Sequence, residues 1–433
     1  MKILLVQPTT LMGDGTPRKT KRRWIMGMTL PYVAALTPQD FQVELVDDRC
    51  QEVDFSGDYN LVGITVTSDT ANRAYQISAR FRHRGIPVVM GGFHASLCPE
   101  EALEHADAIV VGEAEYVWEP LLRDLQAGRL KGVYQASRLH DLKALPPPRY
   151  ELLDKSSYRF LFYPVQTSRG CPFRCKFCEV PQVYGGVYRF RPLGEVVEEV
   201  RAVKNRRLQF VDDNLTADRE YAKALFEALI PLNVKWSGLW TINTPRDEEL
   251  LELAARSGCF HVNIGIESVS QNGLNAIDKR QNQVRDFKRM LGALREKGIF
   301  FSLNFLFGLD GESKDIFDST LGFLEEVKAP MAFFNIVTPR KGTRLREELE
   351  KEGRMIKSEL QWHLGPTCMF LPENMSPQEV ETGLWRTYQS FYSLRSIAKR
   401  LLLPPNGYLA QALPSNLIFL WAVKRRIDPV DFY

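Results

Sequence analysis

The stretch Arg169-Gly-Cys-Pro-Phe-Arg-Cys-Lys-Phe-Cys178 sets Cys171, Cys175 and Cys178 in a CxxxCxxC spacing, directly after the strand-like run 162–167. Spacers this short do not let the thiols converge from a regular strand, so the segment is expected to loop around a ligand, as Gly170 and Pro172 permit. Three thiolates so spaced can hold a 4Fe-4S cluster and leave one iron open for a further ligand. A structural zinc site is the competing reading, but it takes four protein ligands, commonly offered as two separated pairs. The sequence has no second pair: Cys50, Cys98, Cys259 and Cys368 stand singly, and the six histidines form no pair at helical spacing.

At 433 residues the chain has length for two domains and a small third. Its 44% hydrophobic and 25% charged residues are those of an ordinary globular protein. A formal net charge of +3 over 56 basic and 53 acidic residues gives no global field, so no nucleic-acid partner is expected. The opening MKILLVQP enters a strand pattern without an apolar h-region or a small-residue cleavage site. No apolar run reaches the roughly 18 residues of a spanning helix. A cytoplasmic location is expected, and seven cysteines without a paired framework fit a reducing compartment.

Residues 1–143 alternate apolar strands, near 2–6, 43–46, 61–66, 88–90 and 108–111, with helices near 30–36, 70–84 and 100–104. That rhythm predicts an α/β, Rossmann-like parallel sheet covered on both faces. Ligands in such sheets bind at the carboxyl ends of the strands, here Thr65 to Thr67, Gly91 to His94, and Gly112 with Glu113. No GxGxxG or GxxxxGK[ST] follows a strand, which argues against nicotinamide or nucleotide binding. A proline-rich segment within 144–159 reads as a semi-rigid linker. From 160 to 345 the rhythm resumes with strands near 208–211, 235–241, 261–266, 300–307 and 333–337, separated by helices that begin with 193–204. With the strand entering the cysteine loop this makes six βα units, a partial TIM-type barrel. Residues 346–433 read as a helical extension covering the open side of the barrel.

CxxxCxxC with Phe177 just before the last cysteine resembles the radical S-adenosylmethionine (SAM) superfamily. The resemblance implies that Cys171, Cys175 and Cys178 bind a 4Fe-4S cluster, whose open iron chelates SAM and whose electron cleaves it to a 5′-deoxyadenosyl radical. It places SAM near Phe177, near Asp212, Asp213 and Asn214 where relatives have Gly-Gly-Glu, near Glu267 and Ser268, and near Gly308 in a loop similar to FGLPGE[ST]. The first 143 residues resemble the cobalamin-binding domain fused ahead of one large radical SAM class, through the strand rhythm, the run 26–32 and Val89-Met-Gly-Gly92. That resemblance implies cobalamin contacts from Thr9, Thr10, Thr65, Thr67, Gly91, Gly92, His94, Gly112 and Glu113. One departure stands out: where histidine-ligated domains carry DxHxxG, this chain reads Gln7-Pro-Thr-Thr-Leu-Met-Gly13, so no histidine of that loop reaches cobalt. His94 is expected to be a polar contact to the corrin or a surface residue.

The function so implied is a cobalamin-dependent radical SAM enzyme methylating an unactivated carbon. The alternatives are an enzyme of the same class without methyl transfer, such as a cyclase or lyase, and a nonenzymatic zinc-stabilised binding protein. Implied partners are a small-molecule or lipid-like substrate and a low-potential electron donor such as flavodoxin or ferredoxin. Arg340 and Lys341 depart from the TP-aromatic-PGT pattern of relatives and are expected to meet an anionic group of the substrate. The apolar run 417–423 followed by Lys424, Arg425 and Arg426 permits peripheral membrane contact by the tail.

Overall fold

The computed structural model describes residues 1–159, 162–203, 206–356, 366–403 and 407–429. Phe160, Lys204, Asn406 and residues 430–433, which fall within the expectations above, lie outside them. In the first sheet, β1 (Lys2–Gln7), β2 (Gln42–Asp47), β3 (Leu61–Thr65), β4 (Val88–Gly91), β5 (Ala108–Val111) and β6 (Val133–Gln135) run in the order β2-β1-β3-β4-β5-β6. Every pairing is parallel. A strand such as KILLVQ is apolar throughout because both its faces are covered: Leu4 and Val6 enter one core, Ile3 and Leu5 the other. The chain order reverses between β1 and β3, the place where doubly wound sheets open a crevice.

The second sheet contains β7 (Tyr163–Val165), β10 (Arg207–Phe210), β11 (Lys235–Trp240), β12 (Cys259–Glu267), β13 (Phe300–Phe307) and β14 (Met331–Ile336). Its order is β14-β13-β12-β11-β10-β7, again all parallel, which is the expected six-unit partial barrel. Between β7 and β10 the short antiparallel pair β8 (Ser168–Arg169) and β9 (Arg189–Phe190) closes the base of the cysteine loop. That pair carries no sequence pattern of its own and was not expected.

The C-terminal region shares one hydrophobic core with the barrel: Leu384, Tyr388, Phe391 and Phe419 join Phe305 and Phe334. It packs on the β14 margin, where an edge strand leaves backbone groups unpaired. The Phe334 N–H donates to the Tyr388 hydroxyl at 3.0 Å, and the Tyr392 hydroxyl donates to the Ala332 carbonyl at 2.7 Å. Two corrections follow. The expected helix through 377–402 breaks into Pro377–Phe391 and Leu394–Leu401, because Ser393 caps a new start through the Ser396 N–H. The expected linker is a packed strap: Leu153 and Tyr158 enter the core of the first sheet, and the Tyr158 hydroxyl donates to Asp47 at 3.1 Å.

Candidate active site between the two sheets

The cysteine loop leaves β8, and its three sulfurs lie close enough to feel one another's charge. Each receives an N–H donor: Cys171 from the Asn214 amide at 4.0 Å and the Phe173 backbone, Cys175 from the Gln281 amide at 3.7 Å, and Cys178 from the Val180 backbone. Burial pushes all three thiols up, that of Cys178 to about 12. Free thiols here would be unreactive, whereas a bound metal deprotonates them and the donors then stabilise the thiolates. Neighbouring, largely sheltered, donor-supplied sulfurs, with no fourth protein ligand placed among them in the described residues, fit a three-thiolate iron-sulfur cluster.

Beside the loop lies a buried ion pair. β12 slips register against β13 between Gly265 and Glu267, and Glu267 takes φ +67°, a conformation uncommon for a residue with a side chain. The bulge turns its carboxylate onto the Lys279 ammonium. Gly265 leaves the room, since a Cβ there would lie 2.4 Å from Glu267 Oε1. Lys279 Nζ lies 5.8 Å from the Phe177 ring centre and is held charged, against its burial, by Glu267 first and then by Cys175. Glu267 is thus a partner of Lys279, and Ser268 donates to Glu312 at 2.6 Å, so both side chains expected at SAM are engaged within the protein.

Asp212 is engaged within the protein through one oxygen, its Oδ2 meeting no partner among the described residues. It is fully buried at the end of β10, and its Oδ1 accepts from the Thr167 backbone and hydroxyl at 3.0 and 2.8 Å and from the Ser168 hydroxyl at 2.5 Å. It therefore fixes the entry to the cysteine loop. Burial first, offset by those bonds, raises its carboxyl to about 6. Its neighbour Asp213 accepts from the Gly170 N–H at 2.9 Å and lines an interdomain cavity of about 810 Å³ together with Phe177 and Cys178. Asn214 reaches Cys171, and Gly308 turns its open side to Phe370 and Val380 of the C-terminal region. Leu306, Asn335 and Thr338, at the ends of β13 and β14, complete that wall of the cavity. Asn335 had no motif to mark it.

A second cavity, of about 390 Å³, opens at the carboxyl ends of the first sheet, where Thr65, Thr67, Gly91, Gly92, Gly112 and Glu113 line it. It extends inward between the sheet face, at Leu5, Gly63 and Val89, and the helix Thr29–Leu36. Thr9 and Thr10 line the larger cavity instead, because the loop after β1 turns toward the barrel. Gln7, Thr67 and Phe93 line both, so the two cavities adjoin there. His94 is neither at the cavity nor at the surface: it is fully buried, with Nε2 2.9 Å from the Tyr75 hydroxyl. The sequence reading passed over Arg169, which crosses between the domains to Glu113 and Glu115 at 2.7 Å each; Glu115 in turn accepts from Tyr32. Its place directly before the cysteine loop was the available signal.

Arg340 and Lys341 are both paired within the protein. Arg340 pairs with Glu179, which accepts from Ser68 of the first domain at 2.9 Å, and Lys341 pairs with Glu101 at 2.6 Å. Both residues clamp the barrel mouth to the first domain, and Arg340 also lines the larger cavity.

Residues 165–324 match the family model of the radical SAM superfamily. The chain is 31% identical to the bacteriochlorophyllide d C-12(1)-methyltransferase of Chlorobaculum tepidum, over 92% of this chain and 89% of that one. It is likewise 31% identical to the C-8(2)-methyltransferase of the same organism, over 92% and 91%. Its fold is similar to that of the radical SAM methyltransferase TsrM from Kitasatospora setae, solved with cobalamin and a [4Fe-4S] cluster, with a TM-score of 0.64, 20% identity, and 99% and 91% coverage. The chain belongs to the radical SAM superfamily, in the class that carries a cobalamin-binding-type domain ahead of the barrel. It is an enzyme of that class.

Proposed function

We propose that the enzyme is a C-methyltransferase, acting on an unactivated carbon of an amphiphilic substrate held in the larger cavity. The observation that carries this reading is the junction at Gln7, Thr67 and Phe93, where a cavity containing Cys178 adjoins one at the strand ends of the first sheet. Bound at these sites, the cluster with SAM and the cobalamin supply hydrogen-atom abstraction and a methyl group for the same carbon. The cluster takes Cys171, Cys175 and Cys178, and the cobalamin takes the cavity of Thr65, Thr67, Gly91, Gly92 and Gly112. Asp213, with one oxygen already fixed by Gly170, accepts the ammonium of SAM through the other. Arg169 with Glu113 and Glu115, and the pairs Arg340–Glu179 and Lys341–Glu101, hold the two domains in register, as alignment of three reactants requires.

The substrate reading rests on the relatives, which act on a bacteriochlorophyllide, and on the size and lining of the cavity. Leu306, Ile336 and Val337 give it apolar walls, and Arg18, Arg23 and Arg49 stand among its basic lining residues. A flat amphiphile with an acidic edge fits that description. The reaction draws its electron from a low-potential donor such as a flavodoxin or ferredoxin, and the tail contacts a membrane peripherally. The test is anaerobic reconstitution with iron, sulfide and hydroxocobalamin, then incubation with methyl-labelled SAM and bacteriochlorophyllide d as trial substrate. Label in the product together with deoxyadenosine is expected. Deoxyadenosine and altered substrate without label would instead mean a reaction without methyl transfer.

A further inference from the structure

The helix Leu409–Lys424 carries a single charged residue, Lys424, in its 16 positions. Ala412, Asn416, Phe419 and Val423, at helical spacing, pack inward. The opposite side is nearly as apolar: Ala410, Pro414, Leu417, Ile418 and Trp421 follow the same spacing on the solvent face, with Leu417 45% and Trp421 47% exposed. A helix apolar on every side is ordinarily buried or in contact with lipid. Among the described residues nothing covers this face. No helix of the described residues is long and apolar enough to cross a membrane, so the face is a candidate for lying on one.

The end of the stripe decides the partner. Lys424 and Arg425 are exposed where it finishes, and the Arg425 guanidinium stacks 4.3 Å from the Trp421 ring centre. The next acid in the chain, Asp428, is buried, and Tyr388 donates to it. An aromatic ring, two aliphatic side chains and a basic terminus on one face are the elements of an interfacial helix, the apolar side chains entering the acyl boundary and the cations meeting lipid phosphates. A second copy of the chain is the weaker occupant, because one stripe on a helix this short buries a few hundred Å², below the roughly 1,200 Å² of a stable interface.

We infer that the outer face of Leu409–Lys424 docks the enzyme on an anionic lipid bilayer, with Leu417, Ile418 and Trp421 inserted and Lys424 and Arg425 on the headgroups. This rests on the peripheral contact proposed above and is independent of the chemistry. Cluster assembly and SAM cleavage in solution test that chemistry separately. The experiment is co-sedimentation of the full chain with vesicles of phosphatidylcholine alone or mixed with phosphatidylglycerol, at low and high salt. Binding is expected only with phosphatidylglycerol and should weaken as salt rises. The Lys424→Gln/Arg425→Gln variant should bind about fivefold more weakly per charge removed. The Leu417→Ser/Ile418→Ser/Trp421→Ser variant alters exposed positions only, and should stay in the supernatant while its cluster and thermal midpoint match the parent. The inference fails if the parent stays in the supernatant with both vesicle types, or if the apolar variant sediments like the parent. It also fails if the parent is a dimer without lipid and that variant is a monomer.

Discussion

At the carboxyl ends of β3, β4 and β5 the chain places mainly small, uncharged residues, Thr65, Gly91, Gly92 and Gly112, the acid beside them, Glu113, being paired to Arg169 and Arg189. At the ends of β10 and β12 it places Asp212, Asp213 and Glu267, with Lys279 and Glu312 brought in by loops. The first set offers room and backbone groups rather than charge, which suits the large ring system with a long tail proposed to bind there. The second keeps charges beside the three cysteines, and most of them are engaged within the protein: Asp212 with Thr167 and Ser168, Glu267 with Lys279, Glu312 with Ser268. Asp213, with a single protein donor and a place on the cavity wall, is the informative acid.

If the two regions serve separate cofactors, crossed substitutions should separate them, and this is the largest effect expected. Cys175→Ala should abolish deoxyadenosine formation while cobalamin still binds, whereas Cys50→Ala and Cys368→Ala should leave the cluster intact. Gly92→Ala should do the reverse. Gly92 has φ +98°, and a Cβ on it would lie 2.7 Å from the Val66 carbonyl oxygen. Forcing that loop costs on the order of 1–3 kcal/mol, read as weakened cobalamin retention with deoxyadenosine formation preserved. Loss of SAM cleavage in Gly92→Ala equal to that in Cys175→Ala would break the separation.

The next effect sharpens the charged side. Lys279→Met leaves the Glu267 carboxylate buried without its cation, a change that destabilises by about 3–5 kcal/mol. It also removes positive charge that Cys175 and Cys178 feel, so the cluster's reduction, which adds negative charge, becomes harder. The expected result is a lower anaerobic thermal midpoint and a more negative cluster potential in a redox titration followed by electron paramagnetic resonance. Adding Glu267→Gln should restore much of the stability. An unchanged potential in Lys279→Met would make the pair purely structural.

The parts of the molecule that were legible share one property: contiguity. Both parallel sheets and the cluster cysteines follow from runs such as KILLVQ and from CxxxCxxC, because strand burial and loop ligation are written in neighbouring residues. Pairings that span the chain were not. Arg340 to Glu179 and Lys341 to Glu101 are contacts across 161 and 240 residues, and no local pattern distinguishes a clamp from an anion site. His94 was misplaced for a related reason: the Gly91-Gly92 turn pointed to a surface loop, but a helix, Phe93–Leu97, starts at once and buries the imidazole against Tyr75. Gln7 and Thr9 are two residues apart, yet Gln7, at the end of β1, lines both cavities and Thr9 only the larger, because the chain turns toward the barrel after β1.

The smallest expected effect contrasts the two regions by pH. In the first domain burial pushes the Glu101 carboxyl up, but hydrogen bonds from His94 and Lys341 prevail and hold it at about 2. Its stabilisation is present above the ordinary carboxylate value and is lost as pH falls toward 2. In the barrel the sign reverses. Burial, only partly offset by the Ser268 hydroxyl and the Leu309 and Gly308 amides, raises the Glu312 carboxyl to about 7 from 4.5. Below 4.5 both folded and unfolded chains hold that proton; between 4.5 and 7 the unfolded chain releases it first, so this group's contribution declines as pH rises through the window. Asp212 declines likewise between 3.8 and about 6, so the interval above 6 isolates Glu312. Glu312→Gln keeps one acceptor oxygen for the three donors and cannot ionise. Relative to the parent it should therefore gain stability as pH rises from about 6 to about 8, by on the order of 1 kcal/mol. Urea midpoints of the cluster-loaded enzyme at those two values measure it, and a parallel dependence in parent and variant would place the Glu312 titration elsewhere.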